Sequence, residues 1–313
     1  MFSNQLFANY RQKLDNLNVG LVSLCFVVAS ASASHAQILF RDDFNGNTLN
    51  NNYWAIGDWT FDNNRAWFGN TATVANGMAT LTLDTYNPDR YGYFRGTEIY
   101  SLQDFAMTAT GIEFEARVRT NMTARGGVTA FFTYAQVPPD NYAHEIDFEF
   151  LTNQIPSQKV LVTSWKDWGA SGSTYNDGIH HKSNDNTNGA GQSVTGLDLT
   201  RFNTFKIRWL PNSTEWYVNG NLLNSWQEAR PTAPMPVRFN FWAPGALWPA
   251  AYDANLQPAD LASLNQTFTY DIDYVQVSVV PTSVPEPTRD TSPIVVAILG
   301  LARWLRGIWC RSA

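Results

Sequence analysis

The stretch His144-Glu145-Ile146-Asp147-Phe148-Glu149-Phe150-Leu151 alternates three acids with three large apolar residues. Side chains of a β-strand point to opposite faces with a period of two, so Glu145, Asp147 and Glu149 share one face and Ile146, Phe148 and Phe150 the other. One face packs; the other carries a row of carboxylates. Neighbouring acids in such a row lie about 7 Å apart and repel, so at least one is expected to hold its proton to unusually high pH. An edge strand with a solvated acidic face is the plainer explanation. Against it, the apolar partners are all large, and neither Lys nor Arg occurs between Ala135 and Gln158.

An ionised carboxylate beside a protonated carboxyl is what cleavage of a glycosidic bond needs, and with retention of configuration the two groups stand about 5–5.5 Å apart. The Cα atoms of residues 145 and 149 are about 13 Å apart on an extended strand, so the two side chains must lean together. Glutamate has the reach; aspartate in either outer place does not.

Outward from this strand, short β-branched and aromatic runs recur between Gly, Asn, Asp and Pro, and no long stretch has a helical period. Candidate strands are Gln37–Phe44, Met78–Leu83, Gly111–Arg119, Val128–Tyr134, Glu145–Leu151, Lys159–Trp165, Thr204–Leu210, Thr214–Val218, Val237–Trp242 and Phe268–Val279. Pro211-Asn212-Ser213 and Asn219-Gly220 are turn signals on either side of Glu215–Val218. The pattern is that of an all-β sandwich, and 313 residues supply an ample core. No internal repeat is present. The segment from Trp168 to Gly196, rich in Gly, Ser, Asn and Asp, reads as a surface loop; its His180 and His181 lack the further ligands of a metal site.

Charged residues make up 15% and aromatics 14% of the chain, with 12 Trp and 13 Tyr, an excess that suits stacking on sugar rings better than phosphate binding. No Gly-rich phosphate loop or dinucleotide fingerprint occurs. Both ends read as address labels. Arg11 and Lys13 precede an apolar run from Leu17 to Ala33 and small residues up to Ala36, the order of a secretory signal cleaved after Ala36, with an uncleaved anchor as the alternative. At the other end a Pro-rich linker, Val280–Pro287, leads to an apolar stretch, Pro293 to Ala302, and to Arg303, Arg306 and Arg311. That stretch is short for a membrane span. Residues 37–284 hold 15 basic and 24 acidic side chains, a net charge of −9 that repels nucleic acid and favours a neutral substrate. Cys25 and Cys310 both fall in the terminal segments, so an exported domain would have no disulfide of its own.

Several segments together resemble glycoside hydrolase family 16, the laminarinase, lichenase and xyloglucan endotransglycosylase group. Glu145-Ile-Asp-Phe-Glu149 is similar to that family's active strand in its form without a bulge. Phe40-Arg-Asp-Asp-Phe-Asn-Gly46 is similar to its opening strand, and Gly96-Thr-Glu-Ile-Tyr-Ser101 and Gly111-Ile-Glu-Phe-Glu-Ala-Arg117 to two later ones, the latter with one extra residue after the glycine. Lys206-Ile-Arg-Trp-Leu-Pro-Asn212 and Glu215-Trp-Tyr-Val-Asn-Gly220 resemble its hairpin. The ordered set spans about residues 38 to 279.

This resemblance implies a concanavalin-like β-jelly roll of two antiparallel sheets, occupying residues 37–279 between a signal peptide (1–36) and a sorting tail (280–313). It implies Glu145 as nucleophile, Asp147 as the assisting acid and Glu149 as general acid/base. It also places Glu98, Arg95, Trp165, Asn240 and Trp242 as substrate contacts, and Asp273 as the ligand of a structural calcium, with no cofactor required for the reaction. The tail, with Val284-Pro285-Glu286-Pro287, resembles the PEP-CTERM sorting signal of Gram-negative bacteria, which implies export to the cell surface or medium and a transient membrane association.

The expected activity is retaining endo-hydrolysis of a neutral β-glucan by a monomer. A transglycosylase on the same scaffold and a noncatalytic lectin-like module are the alternatives, and the intact trio of acids weighs against the second.

Overall fold

The structure, a computed structural model, describes residues 36–61, 64–137, 142–168, 191–227 and 230–282. The two terminal segments with both cysteines, the stretch with His180 and His181, and the side chain of Trp168 lie outside the described residues. Seventeen strands run through the described residues: β1 (Ile38–Asp42), β2 (Trp54–Ile56), β3 (Trp59–Phe61), β4 (Ala66–Asn70), β5 (Thr73–Ala75), β6 (Met78–Asp84), β7 (Phe94–Ser101), β8 (Ile112–Thr120), β9 (Val128–Val137), β10 (Tyr142–Leu151), β11 (Lys159–Trp168), β12 (Gln192–Ser193), β13 (Asn203–Trp209), β14 (Thr214–Val218), β15 (Asn221–Trp226), β16 (Val237–Trp242) and β17 (Thr267–Val279).

Pairing sorts them into two layers. One runs β12–β11–β10–β9–β16–β7, with β2 and β4 sharing the far edge of β7 and β3 paired to β4. The other runs β15–β14–β13–β8–β17, with β6 and β1 sharing the far edge of β17 and β5 paired to β6. They meet at a corner where Asp84 of β6 faces Arg95 of β7. The sandwich expected from alternation, and the jelly roll that the resemblance implies, are thus present, with one parallel ladder among the described strands. β4 lies parallel to β7, Ala66 beside Phe94, because the chain between them passes through β5 and β6 and so has the length a parallel connection needs.

Alternation makes each layer. In β8, Ile112, Phe114, Ala116 and Val118 are buried; in β13, so are Phe205, Ile207 and Trp209. Their outward partners are complementary charges set opposite one another: Lys206 lies 2.8 Å from Glu113 and 3.1 Å from Glu115, and Arg208 lies 2.8 Å from Glu113. Asn219 (φ 50°) and Gly220 (φ 81°) turn β14 into β15 with two left-handed residues, the geometry that matches strand twist in a two-residue hairpin.

The core between the layers holds the acid-bearing strand in place. Phe148 and Phe150 of β10 cross to Phe205 of β13 with ring centroids 5.2 and 4.5 Å apart, and Phe148 stacks beside Phe131 of β9 at 6.4 Å. Burying one such ring contributes roughly 1.5–3 kcal/mol. Trp216 of β14, fully buried, donates its indole N–H to the main-chain carbonyl of Asp147 at 2.8 Å. The second layer therefore grips the backbone of the first at the middle acid.

Candidate active site

Register places the residues on the side of β10 facing away from the core. Glu145 is flanked by Tyr134 on β9 and Trp165 on β11; Asp147 by Phe132 and Thr163; Glu149 by Ala130 and Leu161. Across β9, Arg238 and Asn240 of β16 lie beside Phe132 and Ala130, and beyond them stand Tyr100 and Glu98 of β7. Two rows result: Tyr100–Arg238–Phe132–Asp147–Thr163 and Glu98–Asn240–Ala130–Glu149–Leu161. Among the described residues, four acids and one guanidinium lie on this face.

The expectation that an acid keeps its proton is met at the centre of the row. The Glu145 carboxyl is pushed up to about 8, first by burial and then by the charge of Glu149, while its hydrogen bond with Asp147 and the charge of Arg238 act in the opposite sense. Asp147 is raised well above the ordinary aspartate range by burial and by the charge of Glu145. The two carboxyls titrate as a coupled pair, so burial and their mutual repulsion hold a proton between them. Asp147 is anchored in turn by the Thr163 hydroxyl, which donates to its Oδ2, and by the side chain of Trp165.

Glu98, only 2% exposed, accepts from Arg238 Nη1 at 2.9 Å and from Trp59 Nε1 at 3.3 Å and is hydrogen-bonded to Asn240. Burial nonetheless raises its carboxyl. Gly57 permits this close approach, since a Cβ there would stand 2.9 Å from the Glu98 Cβ. Arg95 does not join the group: alternation puts it on the other face of β7, over Trp67 and 3.4 Å from Asp89. Trp165 and Trp242 are on the site face but packed, 5% and 6% exposed. Trp165 supports Asp147, and Trp242 lies against Phe61 and Trp248 at 5.2 and 5.9 Å. The exposed aromatic beside Glu98 is Trp59, stacked on Phe68 at 4.5 Å.

Asp273 lies in the other layer, paired with Arg117. Its charge is already met by a cation, and no group of three His, Cys, Asp or Glu side chains suited to a metal gathers among the described residues.

Sequence reading passed over Trp59, Tyr134, Thr163, Trp216 and Arg238. The signal for two of these was present: Arg238 and Thr163 precede Asn240 and Trp165 by two residues and so share their faces.

The sequence matches the family "Glycosyl hydrolases family 16" over residues 59–276. Among curated proteins it is 26% identical over 234 residues to a β-glucanase of Bacillus subtilis strain 168, covering 72% of this chain and 84% of that one. It is 24% identical over 283 residues to a β-glucanase of Acetivibrio thermocellus, covering 88% and 73%. Among solved structures, a β-1,3-1,4-glucanase (lichenase) from a mouse hindgut metagenome superposes with a TM-score of 0.57 at 19% identity, covering 77% of this chain and 99% of that one. The laminarinase catalytic domain of Thermotoga maritima does so with 0.58 at 19%, covering 79% and 99%. The match spans more than two thirds of the chain and includes the whole acid row, and the chain therefore belongs to glycosyl hydrolase family 16.

Proposed function

We propose that this protein is an endo-acting hydrolase of a neutral β-glucan that works with retention of configuration. The observation that carries the reading is the arrangement of Glu145, Asp147 and Glu149 on one strand face with a proton held among them by burial. Glu145 attacks the anomeric carbon as Glu149 gives its proton to the departing glycosidic oxygen. Glu149 then takes a proton from the water that releases the sugar from Glu145. Asp147 donates a hydrogen bond to one Glu145 oxygen, leaving the other to bond the anomeric carbon, and that hydrogen bond strengthens as the ester bond breaks and charge returns to the departing Glu145 carboxylate.

A neutral polymer is favoured because the domain is acidic and Arg238, the cation on this face, is engaged by Glu98. The β-glucanase relatives support the same substrate class. We further infer that the protein is exported as a monomer under its amino-terminal segment and sorted by its Pro-Glu-Pro tail. Amino-terminal sequencing of the secreted form at Gln37 supports that; retention of residue 1 refutes it.

Release of reducing sugar from lichenan, laminarin, xyloglucan and agarose, with Glu145→Gln assayed in parallel, tests the activity. Hydrolysis of a glucan that vanishes in the variant is the expected result; full activity in Glu145→Gln overturns the assignment.

A further inference from the structure

Arg238 is a charged residue on the site face to which the proposed chemistry gives no role. Its guanidinium is fixed from three sides: Glu98 Oε1 at 2.9 Å, the Tyr100 ring at 4.6 Å and the Tyr134 ring at 5.2 Å. Tyr134 stands directly opposite Glu145, so the Tyr134 ring lies between the guanidinium and the nucleophile. Arg238 makes a stacked, hydrogen-bonded contact that a lysine ammonium does not reproduce in shape, although it would reproduce the charge.

The charged and titratable groups around Glu145 come from four strands. Asp147 and Glu149 lie on its own strand, Tyr134 on β9, Arg238 on β16, and Glu98 with Tyr100 on β7. From β11 the directly facing residue is Trp165, and the neighbouring Lys166 is exposed. Three of these groups are carboxyls and one is a guanidinium, so Arg238 is what offsets the negative field on this face.

We infer that Arg238, clamped by Glu98 between two tyrosine rings, is a positioning residue that acts through space to lower the pH at which Glu145 ionises, and that Glu98 sets how much of that charge Glu145 feels. The inference rests on Glu145 being the nucleophile. Its sign is fixed by electrostatics. Removing Arg238 removes the attraction that favours the Glu145 carboxylate, and removing the charge of Glu98 removes a repulsion. Across two strand spacings, about 10 Å, at an effective dielectric near 20, the guanidinium shifts the Glu145 midpoint by about one pH unit. Glu98, one strand farther, acts more weakly and in the other direction. The burial-driven rise of Glu145, which Arg238 opposes and Glu98 adds to, agrees with these signs.

The test is a carbon-13 NMR titration of glutamate side-chain carboxyls in the full chain, with the Glu145 resonance assigned by its loss in Glu145→Gln. Arg238→Met is expected to move the Glu145 midpoint up by about one pH unit. Arg238→Lys leaves it near wild type, and Glu98→Gln moves it down. Should Arg238→Met fail to fold, Glu98→Gln/Arg238→Met, which leaves no lone buried carboxylate, must still place the midpoint above that of Glu98→Gln. The acid limb of kcat/KM on lichenan, which reports the free enzyme, should move with the same signs. An unmoved Glu145 midpoint in Arg238→Met, a shift in Arg238→Lys as large as in Arg238→Met, or an upward shift in Glu98→Gln, overturns the inference. Because the titration needs no turnover, inactivity of the wild type on lichenan refutes the proposed function without deciding the role of Arg238.

Discussion

Replacing Trp216 with Phe tests whether the second layer governs the geometry of the acid strand. The change deletes the indole N–H that bonds the Asp147 carbonyl at 2.8 Å, in a fully buried position. Loss of that partner costs about 1–3 kcal/mol. The smaller ring also leaves a void of roughly 40 Å³, which at about 24 cal/mol per Å³ adds about 1 kcal/mol. The sum, about 2–4 kcal/mol, lowers the melting temperature by roughly 5–15 °C for a domain of this size.

Trp209 supplies the matched control: it is equally buried, and its indole N–H donates at 3.0 Å to the carbonyl of Pro231 rather than to the acid strand. Trp209→Phe should lose similar stability in urea unfolding. With both variants assayed well below their melting temperatures, Trp216→Phe should lose on the order of tenfold in kcat, the scale of a sub-ångström misplacement, while Trp209→Phe keeps the wild-type value. Equal losses of kcat in the two variants, or none in either, would refute the idea that Trp216 sets the strand.

Three further outcomes are expected. The folded state holds the Glu145 proton up to about 8 whereas the unfolded chain releases it near 4.5, so stability falls as pH rises between these values; Glu145→Gln should be more stable than wild type by a few kcal/mol at pH 8.5 and indistinguishable at pH 4 in denaturant titrations. His144, buried, accepts the N–H groups of Thr232 and Ala233 on Nδ1 at 3.2 and 3.0 Å, and burial followed by the charge of Lys166 lowers its affinity for a proton. Stability should therefore fall as pH drops below the ordinary imidazole value of 6.5, and His144→Asn, which keeps an acceptor in place of Nδ1, should flatten that slope. Because Arg117 already meets the charge of Asp273, a chelator should leave the melting temperature unchanged; a drop reversed by calcium would contradict this account.

What the sequence made legible were the strands with one packed and one polar face. The acid strand, Gly111–Arg119 and Thr204–Leu210 announce themselves because Phe148, Phe114 and Phe205 alternate with charges. β7 does not, since residues on both its faces are covered. Gly96 is packed against the Phe241 carbonyl, where a Cβ would stand 2.5 Å away, and Glu98 occupies a buried place usually held by an apolar residue. The three-residue strands Trp54–Ile56, Trp59–Phe61 and Thr73–Ala75 are too short to show a period. At the site, the acids were readable from spacing alone. Trp165 and Trp242 were read as sugar contacts, but an indole serves as platform or packing alike, and their near-complete burial against Asp147, Phe61 and Trp248 comes from neighbours that are distant in the chain. Arg238 was on the right face by parity, but its capture by Glu98 depends on a pairing 140 residues apart in the chain.

The pairing of β1 with β17 has a consequence for how the molecule is made. Ile38 lies beside Ser278 and Asp42 beside Val275, so the first strand of the domain waits for the last, and β6 and β8 wait for the same partner. Contacts of such long sequence separation impose a large loop-closure cost before they return any stabilisation, which makes folding slow. During synthesis the central strands leave the ribosome with open edges and no completed second layer. Thr267–Val279 acts as a latch: until it arrives, the acid strand has neither its finished core nor its final shape, and a chain cut short before it should accumulate as aggregate rather than as a weaker enzyme.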